Sequence, residues 1–277
     1  MKLQAFLPLV TYTDPNSESV AANAANVAAL LGADLNVLAV NVSVPQVSSK
    51  LSRLMLDVPD MIRQAETTSR NHGERLIEAV TAAGEQAKIT VRADKTTESP
   101  PLLGATAAIA ARFHDIALVG WEADNPTSRA TAESLVFGAG RPVVLLPSEI
   151  DIAAFDHIAI AWDGSRVAAR AVADARPFLA RASRVSVLSV VDEKPLTTGD
   201  GEKLAASLQQ AGINAEAVTV KGGGKAIAAT LQENARERGC GLLGMGGYGH
   251  SRIRDFVMGG ATEGVLKALT MPVMLSH

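Results

Sequence analysis

The chain has 277 residues, which is long for one ordinary domain and sufficient for two. Hydrophobic residues make up 47% of the chain and charged residues 20%, the composition of a globular protein with full cores. The formal net charge is −3 and both signs are interspersed, so the sequence lacks the basic footprint that binding to nucleic acid or an anionic membrane requires.

The sequence also indicates a compartment. No apolar run approaches the ~20 residues of a membrane-spanning helix. The only cysteine, Cys240, excludes an intrachain disulfide and fits a reducing environment. The apolar residues 6–10 are too short for a signal peptide and contain Pro8, so we interpret them as the first strand. We therefore expect a cytoplasmic protein.

From this first strand onward, short apolar runs alternate with Ala-rich stretches whose apolar residues recur at helical spacing. Asp14 and the polar residues after it follow the strand and precede the first helical pattern, as helix caps do. The next apolar run, residues 34–40, is predicted to be the second strand. The order strand, helix, strand, helix, strand, helix, strand, helix, strand extends to about residue 146.

The same order of elements returns in the second half of the chain. Residues 182–190 match residues 32–40 at an offset of 150, and the run that begins at Pro272 matches the run that begins at Pro142 at an offset of 130. The difference of 20 residues falls in an extra segment of the first copy, around residues 42–70. In the second copy, Pro177 lies within the first predicted helix and predicts a kink there.

Strands that alternate with helices indicate βαβ units with right-handed crossovers. The sequence therefore predicts an α/β fold with two tandem doubly wound five-stranded parallel-sheet domains of the nucleotide-binding, Rossmann-like type. We place these domains at residues 1–149 and 150–277. The final strands of the two copies are predicted to pair with each other.

A glycine cluster follows the fourth predicted strand of the second copy: Gly244, Gly246, Gly247 and Gly249, and then Gly259-Gly260. Ligands of open α/β sheets bind beyond the carboxyl ends of the strands, where this loop is expected to lie. Glycines let the main chain approach a phosphate, and its N–H groups form an anion-binding concavity. The helix predicted after Gly260 would add further N–H donors.

Other interpretations of the glycines and histidines fit less well. Gly244, Gly246 and Gly249 satisfy the G-x-G-x-x-G spacing of dinucleotide-binding proteins, but only 28 residues follow Gly249, too few for the rest of that unit. The run 222–225 fails as a P-loop because Thr219 and Ala226 replace two required residues. The five histidines are scattered without paired ligand spacing, so no metal site is expected.

The spacing Gly246-x2-Gly249-x9-Gly259 resembles the G-x2-G-x9-G-[ST] signature of the universal stress protein family. Residues 245–252, the run 163–165 (Asp-Gly-Ser) and the closing run 272–275 are also similar to that family. The resemblance extends over residues 5–147 and 155–276, so the chain looks like a tandem-domain member. In single-domain members the final strands join two subunits, which implies that the two domains are arranged as a pseudo-dimer.

The resemblance implies a bound adenine nucleotide, ATP or a related one, with or without magnesium. The implied contacts all come from the second copy: Ala161 and Asp163 at the adenine and ribose end, Val190 at the base, Met245 and Gly246 near the ribose, and Gly249, Gly259, Gly260 and Ala261 around the phosphates.

Two departures from the family pattern affect this expectation. Gly260 stands where the family has Ser or Thr, and the missing hydroxyl donor is worth ~1.5–3 kcal/mol, roughly a 10- to 150-fold loss of affinity. The first copy lacks the second and third motif glycines, and Glu122 and Asp124 would repel a phosphate there. We expect its phosphate site to be inactive.

We therefore predict a non-enzymatic stress-response protein that binds an adenine nucleotide in its second domain. The alternatives are a nucleotide-free interaction or regulatory module and a slow ATPase, for which His250 is the only candidate general base. The expected partners are the nucleotide, the other domain of the same chain and a second copy in a homodimer, without nucleic acid or membrane.

Overall fold

The computed structural model describes residues 2–45, 58–192, 199–247 and 260–277. The chain divides into two compact units, Met1–Ala139 and Gly140–His277. Each unit is built around a mostly parallel sheet with helices between its strands, which confirms the predicted fold class. No helix in the described part of the chain is long and apolar enough to span a membrane.

The described part of the first unit contains four strands in the spatial order β3-β2-β1-β4, and the pairs β1–β2, β2–β3 and β1–β4 are parallel. Its described elements are β1 (Gln4–Val10), α1 (Ser19–Leu31), β2 (Asp34–Val42), α2 (Val58–Gln86), β3 (Val91–Glu98), a 3-10 turn (Pro100–Leu102), α3 (Leu103–Ala111), β4 (Ile116–Trp121) and α4 (Pro126–Gly138).

The second unit has the spatial strand order β5-β10-β9-β6-β7-β8. Its described elements are β5 (Val143–Pro147), β6 (His157–Ala161), α5 (Arg166–Asp174), α6 (Arg176–Leu179), β7 (Arg184–Val190), α7 (Asp200–Gln210), β8 (Ala215–Val220), α8 (Ile227–Glu237), β9 (Leu242–Gly246), α9 (Ala261–Lys267) and β10 (Val273–Ser276). Its pairs are parallel except for β5 with β10, which is antiparallel.

The predicted pairing of the two final strands is confirmed, since Val273 of β10 lies opposite Leu145 of β5. By the sequence repeat β5 closes the first copy, yet by its packing it belongs to the second compact unit. The boundary at residues 149 and 150 follows from the repeat alone and stays a prediction.

The repeat is visible in the structure at both predicted offsets. Strands β2 and β7 begin at residues 34 and 184, and β5 and β10 begin at residues 143 and 273. Helix α2 of the first unit has 29 residues, whereas its counterpart α7 has 11. Much of the extra length of the first copy therefore lies in one helix.

Local chemistry explains where several helices begin and end. The predicted kink at Pro177 is a break: α5 ends at Asp174, and Pro177 lies in the first turn of α6. Proline lacks the N–H for the helical hydrogen bond, and its ring clashes with the carbonyl of the preceding turn. Helix α4 begins with Pro126 after the N-cap Asn125, where proline is well tolerated.

The central strands are buried, as expected for parallel strands that have helices on both faces. Every residue of β4 and β5 is buried, as are all residues of β1 except Gln4. In each unit, the loops at the ends of the strands carry the polar residues that bear on the candidate site.

Candidate functional site

The candidate site lies at the carboxyl ends of β6 and β9 in the second unit. The chain runs from β6 outward to β7 and β8, and then crosses back to β9 on the other side of β6. Ligands of open α/β sheets bind at such a reversal of strand order. Ala161 ends β6 and Gly246 ends β9, and Ile160 pairs with Gly244 just before them. The structure thus brings Ala161, Met245 and Gly246 to one edge, as predicted.

Asp163 lies two residues beyond β6 and is exposed. Its Oδ1 accepts a hydrogen bond from the backbone N–H of Ser165 at 3.0 Å, which closes a tight turn through Gly164 at φ 72°. The N-cap of α5 is Ser165, whose Oγ accepts from the N–H of Ala168 at 3.2 Å. Asp163 therefore shapes the turn and does not cap the helix, and a ligand role for its carboxylate stays a prediction.

Gly246 is a glycine for a packing reason. A Cβ at this position would lie 2.7 Å from the carbonyl carbon and from Cγ2 of Val167, and 2.8 Å from the backbone nitrogen of Ala168. The first turn of α5 therefore approaches the end of β9 too closely for any side chain. The preceding residue, Met245, is only 3% exposed, so its side chain belongs to the core.

Val190 ends β7, the other neighbour of β6, and is half-buried. Beyond it, the Asp192 carboxylate accepts hydrogen bonds from the N–H groups of Gly222 at 2.7 Å and Gly223 at 3.0 Å. These two bonds are the main causes that lower the pKa of Asp192. The glycine run that resembles a P-loop is thus already occupied by a carboxylate of the same domain.

The phosphate end of the predicted site is described only in part. Gly249 and Gly259 lie outside the described residues, as do Tyr248 and His250. Gly260 is the N-cap of α9, with φ −62° and ψ 149°, and it offers no side-chain acceptor to the helix. No described residue lies within 4 Å of a Cβ placed on Gly260, and Ala261, the first residue of α9, is half-buried.

The corresponding place in the first unit lies between β1 and β4, where its strand order reverses. Gly120 there matches Gly246: each is the fifth residue of its strand, and a Cβ on Gly120 would lie 2.4 Å from Cγ2 of Val20. Val20 is the second residue of α1, which follows β1, and Val167 is the second residue of α5, which follows β6. The close approach of strand and helix is therefore a property of the repeated fold, independent of any ligand.

The main-chain donors near β4 are engaged by side chains of the first unit itself. The Glu122 carboxylate accepts from the backbone N–H of Ser17 at 3.0 Å and from Nδ2 of Asn16 at 3.1 and 3.3 Å. Asn125 caps α4, and its Oδ1 accepts from the N–H groups of Thr127 and Ser128 at 3.0 and 2.9 Å. The charge of Glu122 is visible in the sequence, but its partners Ser17 and Asn16 are not, because they lie 105 and 106 residues away in the chain.

A cavity of about 330 Å³ lies at the opposite, amino-terminal edge of the second unit. It is lined by residues 150–154, by Arg236, Cys240 and Gly241, and by residues 270–272. None of the predicted site residues lines it. Burial raises the pKa of the Cys240 thiol to about 11. Among the described residues, no group of three or more His, Cys, Asp or Glu side chains is placed to hold a metal ion.

Comparisons with known proteins bear on the second half most directly. Residues 154–277 match the universal stress protein family. The whole fold is similar to the crystal structure of a universal stress protein from Archaeoglobus fulgidus DSM 4304, with a TM-score of 0.74, 16% identity, and coverage of 99% of this chain and 96% of that one.

A functionally unknown protein from Pseudomonas aeruginosa PAO1 is similar at a TM-score of 0.56 and 14% identity, with coverage of 99% of this chain and 92% of that chain. At these identities the two structural likenesses concern the fold. A search of curated proteins found no match.

Proposed function

We propose that this chain is a tandem-domain member of the universal stress protein family and that its second domain, which contains the matching residues 154–277, binds an adenine nucleotide. The proposal rests on one observation: the family's glycine spacing begins at Gly246, at the carboxyl end of β9 and beside the turn that follows β6. That place is the reversal of strand order where open α/β sheets bind ligands. The proposed role is that of a non-enzymatic stress-response protein.

The first domain is proposed to bind no nucleotide. A phosphate there would have to displace the Glu122 carboxylate from the N–H of Ser17 and the amide of Asn16. Hydrogen bonds to a charged group contribute ~1.5–3 kcal/mol each, and the displaced carboxylate would repel the incoming anion. In the second domain, the N-cap Gly260 has no side chain that could compete with a ligand.

The test is a calorimetric titration of the intact chain with ATP and magnesium, preceded by mass spectrometry of any nucleotide released from the purified protein. Gly249→Val should abolish or strongly weaken binding, since a side chain there would keep a phosphate from the main chain. The matched control is Ala123→Val, because residue 123 follows Gly120 by the same three positions and is exposed.

Equal loss of binding in the two variants would refute the assignment of the site to the second domain. A protein that carries no nucleotide and also fails the titration would refute nucleotide binding itself. It would favour an interaction module that acts without nucleotide.

A further inference from the structure

Three polar side chains lie side by side at the amino-terminal ends of adjacent strands in the second domain, at the edge opposite the candidate site. His157 is the first residue of β6, Ser186 is the third of β7 and Glu216 is the second of β8. The strands are neighbours and parallel, and Ser186 pairs with Glu216 across the β7–β8 ladder. Ser186 is fully buried at 0% exposure, so a substrate cannot reach its hydroxyl.

These side chains form a continuous chain of hydrogen bonds. Nδ1 of His157 lies 3.0 Å from the carbonyl oxygen of Arg238, in the turn after α8, and Nε2 lies 2.9 Å from Oγ of Ser186. The Ser186 Oγ lies 2.9 Å from Oε1 of Glu216, which also accepts from Arg184 at 2.6 Å. This series of hydrogen bonds therefore connects β6, β7 and β8 with the turn that precedes β9.

The protons of this hydrogen-bonded series can be arranged in two ways, which depend on the charge of the imidazole. A carbonyl oxygen only accepts, so Nδ1 of His157 carries a proton, and in the neutral ring Nε2 is then an acceptor. Ser186 has one hydroxyl proton and two neighbours that can accept it, Nε2 and the Glu216 carboxylate. When the ring is neutral, one of the two contacts is left without a proton. When the ring is protonated, Nε2 donates to Ser186, Ser186 donates to Glu216, and every contact is satisfied.

On balance, the surroundings of His157 lower its pKa and so oppose its protonation. Arg184 on β7 and Arg238 after α8 are positive, and Glu216 on β8 is the facing carboxylate. Burial is the largest cause that lowers the pKa of His157, the two arginines lower it further, and the Arg238 carbonyl and Glu216 raise it. Burial raises the pKa of Glu216, but the hydrogen bonds from Ser186 and Arg184 and the charges of Arg184 and Arg238 together lower it, so Glu216 stays ionised as the counter-charge.

We propose that His157, Ser186 and Glu216 form a pH-sensitive relay, in which protonation of the imidazole lets Nε2 donate to Ser186 while the serine hydroxyl donates to Glu216. The device is independent of nucleotide binding. Its effect on stability follows from the sign of the pKa shift. The unfolded chain takes up a proton at this histidine near pH ~6.5, before the folded chain does, so acidification through that range destabilises the folded domain.

The test is a pH titration of the histidine side chains of the intact protein by nitrogen–proton NMR, which reports both the pKa and the tautomer of each ring. We expect His157 to titrate below the ordinary histidine range and its neutral form to carry the proton on Nδ1. Ser186→Ala should lower the pKa of His157 further, because the imidazolium loses its hydrogen-bonded path to Glu216 while all charges remain. His72 and His114, in the first domain, serve as internal controls.

A second variant tests the proposal without altering the buried serine, whose replacement could disturb folding. Glu216→Gln removes the counter-charge at a side chain that is 39% exposed, and it should also lower the pKa of His157. A neutral His157 ring with its proton on Nε2 would overturn the proposal. So would a folded Ser186→Ala protein in which the pKa of His157 is unchanged.

Discussion

Restoring the family's hydroxyl by Gly260→Ser should strengthen nucleotide binding, and the structure allows the change to be made cleanly. The backbone at Gly260, with φ −62° and ψ 149°, is one that any residue adopts, and none of the residues that the structure describes lies within 4 Å of a Cβ there. A hydroxyl that donates to a charged phosphate contributes ~1.5–3 kcal/mol, so the Kd for ATP should fall roughly 10- to 150-fold. Serine at an N-cap should add only about a few tenths of a kcal/mol of stability.

The assay is calorimetric titration with ATP and magnesium for the wild type, Gly260→Ser and Gly260→Ala. The alanine variant carries the same backbone restriction without the hydroxyl, so the difference between the two variants isolates the hydroxyl. Gly260→Ala should bind about as weakly as the wild type. If the serine and alanine variants bind equally well, the hydroxyl does not contact the nucleotide and the reasoning about residue 260 is refuted.

Three further predictions concern stability and reactivity. Gly246→Ala should destabilise the second domain by about 1–3 kcal/mol in denaturant unfolding, because its Cβ would meet the backbone of α5 at 2.7 Å; little change there would mean that the helix yields easily. Cys240 should react slowly with a thiol-alkylating reagent at neutral pH and rapidly in denaturant, since burial raises its pKa to about 11; rapid native labelling would contradict this burial. Lys2 and Arg92 lower the pKa of Asp34 from its ordinary 3.8 to about 2. The ionised Asp34 carboxylate should therefore stabilise the folded protein above pH 3.8, and unfolding measurements should show this stabilisation lost between pH 3.8 and about 2. Asp34→Asn should lack that part of the acid dependence, and an identical pH profile for the two proteins would argue against the ion pairs.

The candidate site shows how far sequence reasoning reaches. The glycine spacing and the run 163–165 placed the site at the carboxyl ends of β6 and β9, because parallel strands that alternate with helices leave little choice of edge. The resemblance implies a ligand role for Asp163, which stays a prediction, and the structure gives the cap of α5 to Ser165. The reason for glycine at position 246 was not visible, since it depends on a helix that the sequence places about 80 residues earlier.

The first domain shows the same division. The sequence alone indicates that the acidic residue Glu122 would repel a phosphate, since charge is a property of the residue itself. The sequence does not indicate the hydrogen bonds of Glu122 to Asn16 and Ser17, because they form only when β1 and β4 become neighbours. The pairing of β5 with β10 is predicted from the sequence, whereas the assignment of β5 to the second compact unit is given only by its packing.

What the sequence alone determined is the duplicated order of strands and helices, the parallel α/β class and the disruption of a helix at Pro177, predicted as a kink and found as a break. These features depend on periodicity and on backbone chemistry within a few residues, so they can be identified without knowing what packs against them. Only the tertiary structure shows that a side chain at Gly120 or Gly246 would collide with a neighbouring helix. It also shows which donors hydrogen-bond to Glu122, and that Ser186 connects His157 to Glu216. Each of those contacts joins residues far apart in the chain, and only the folding of the sheets brings their atoms within hydrogen-bonding or van der Waals distance.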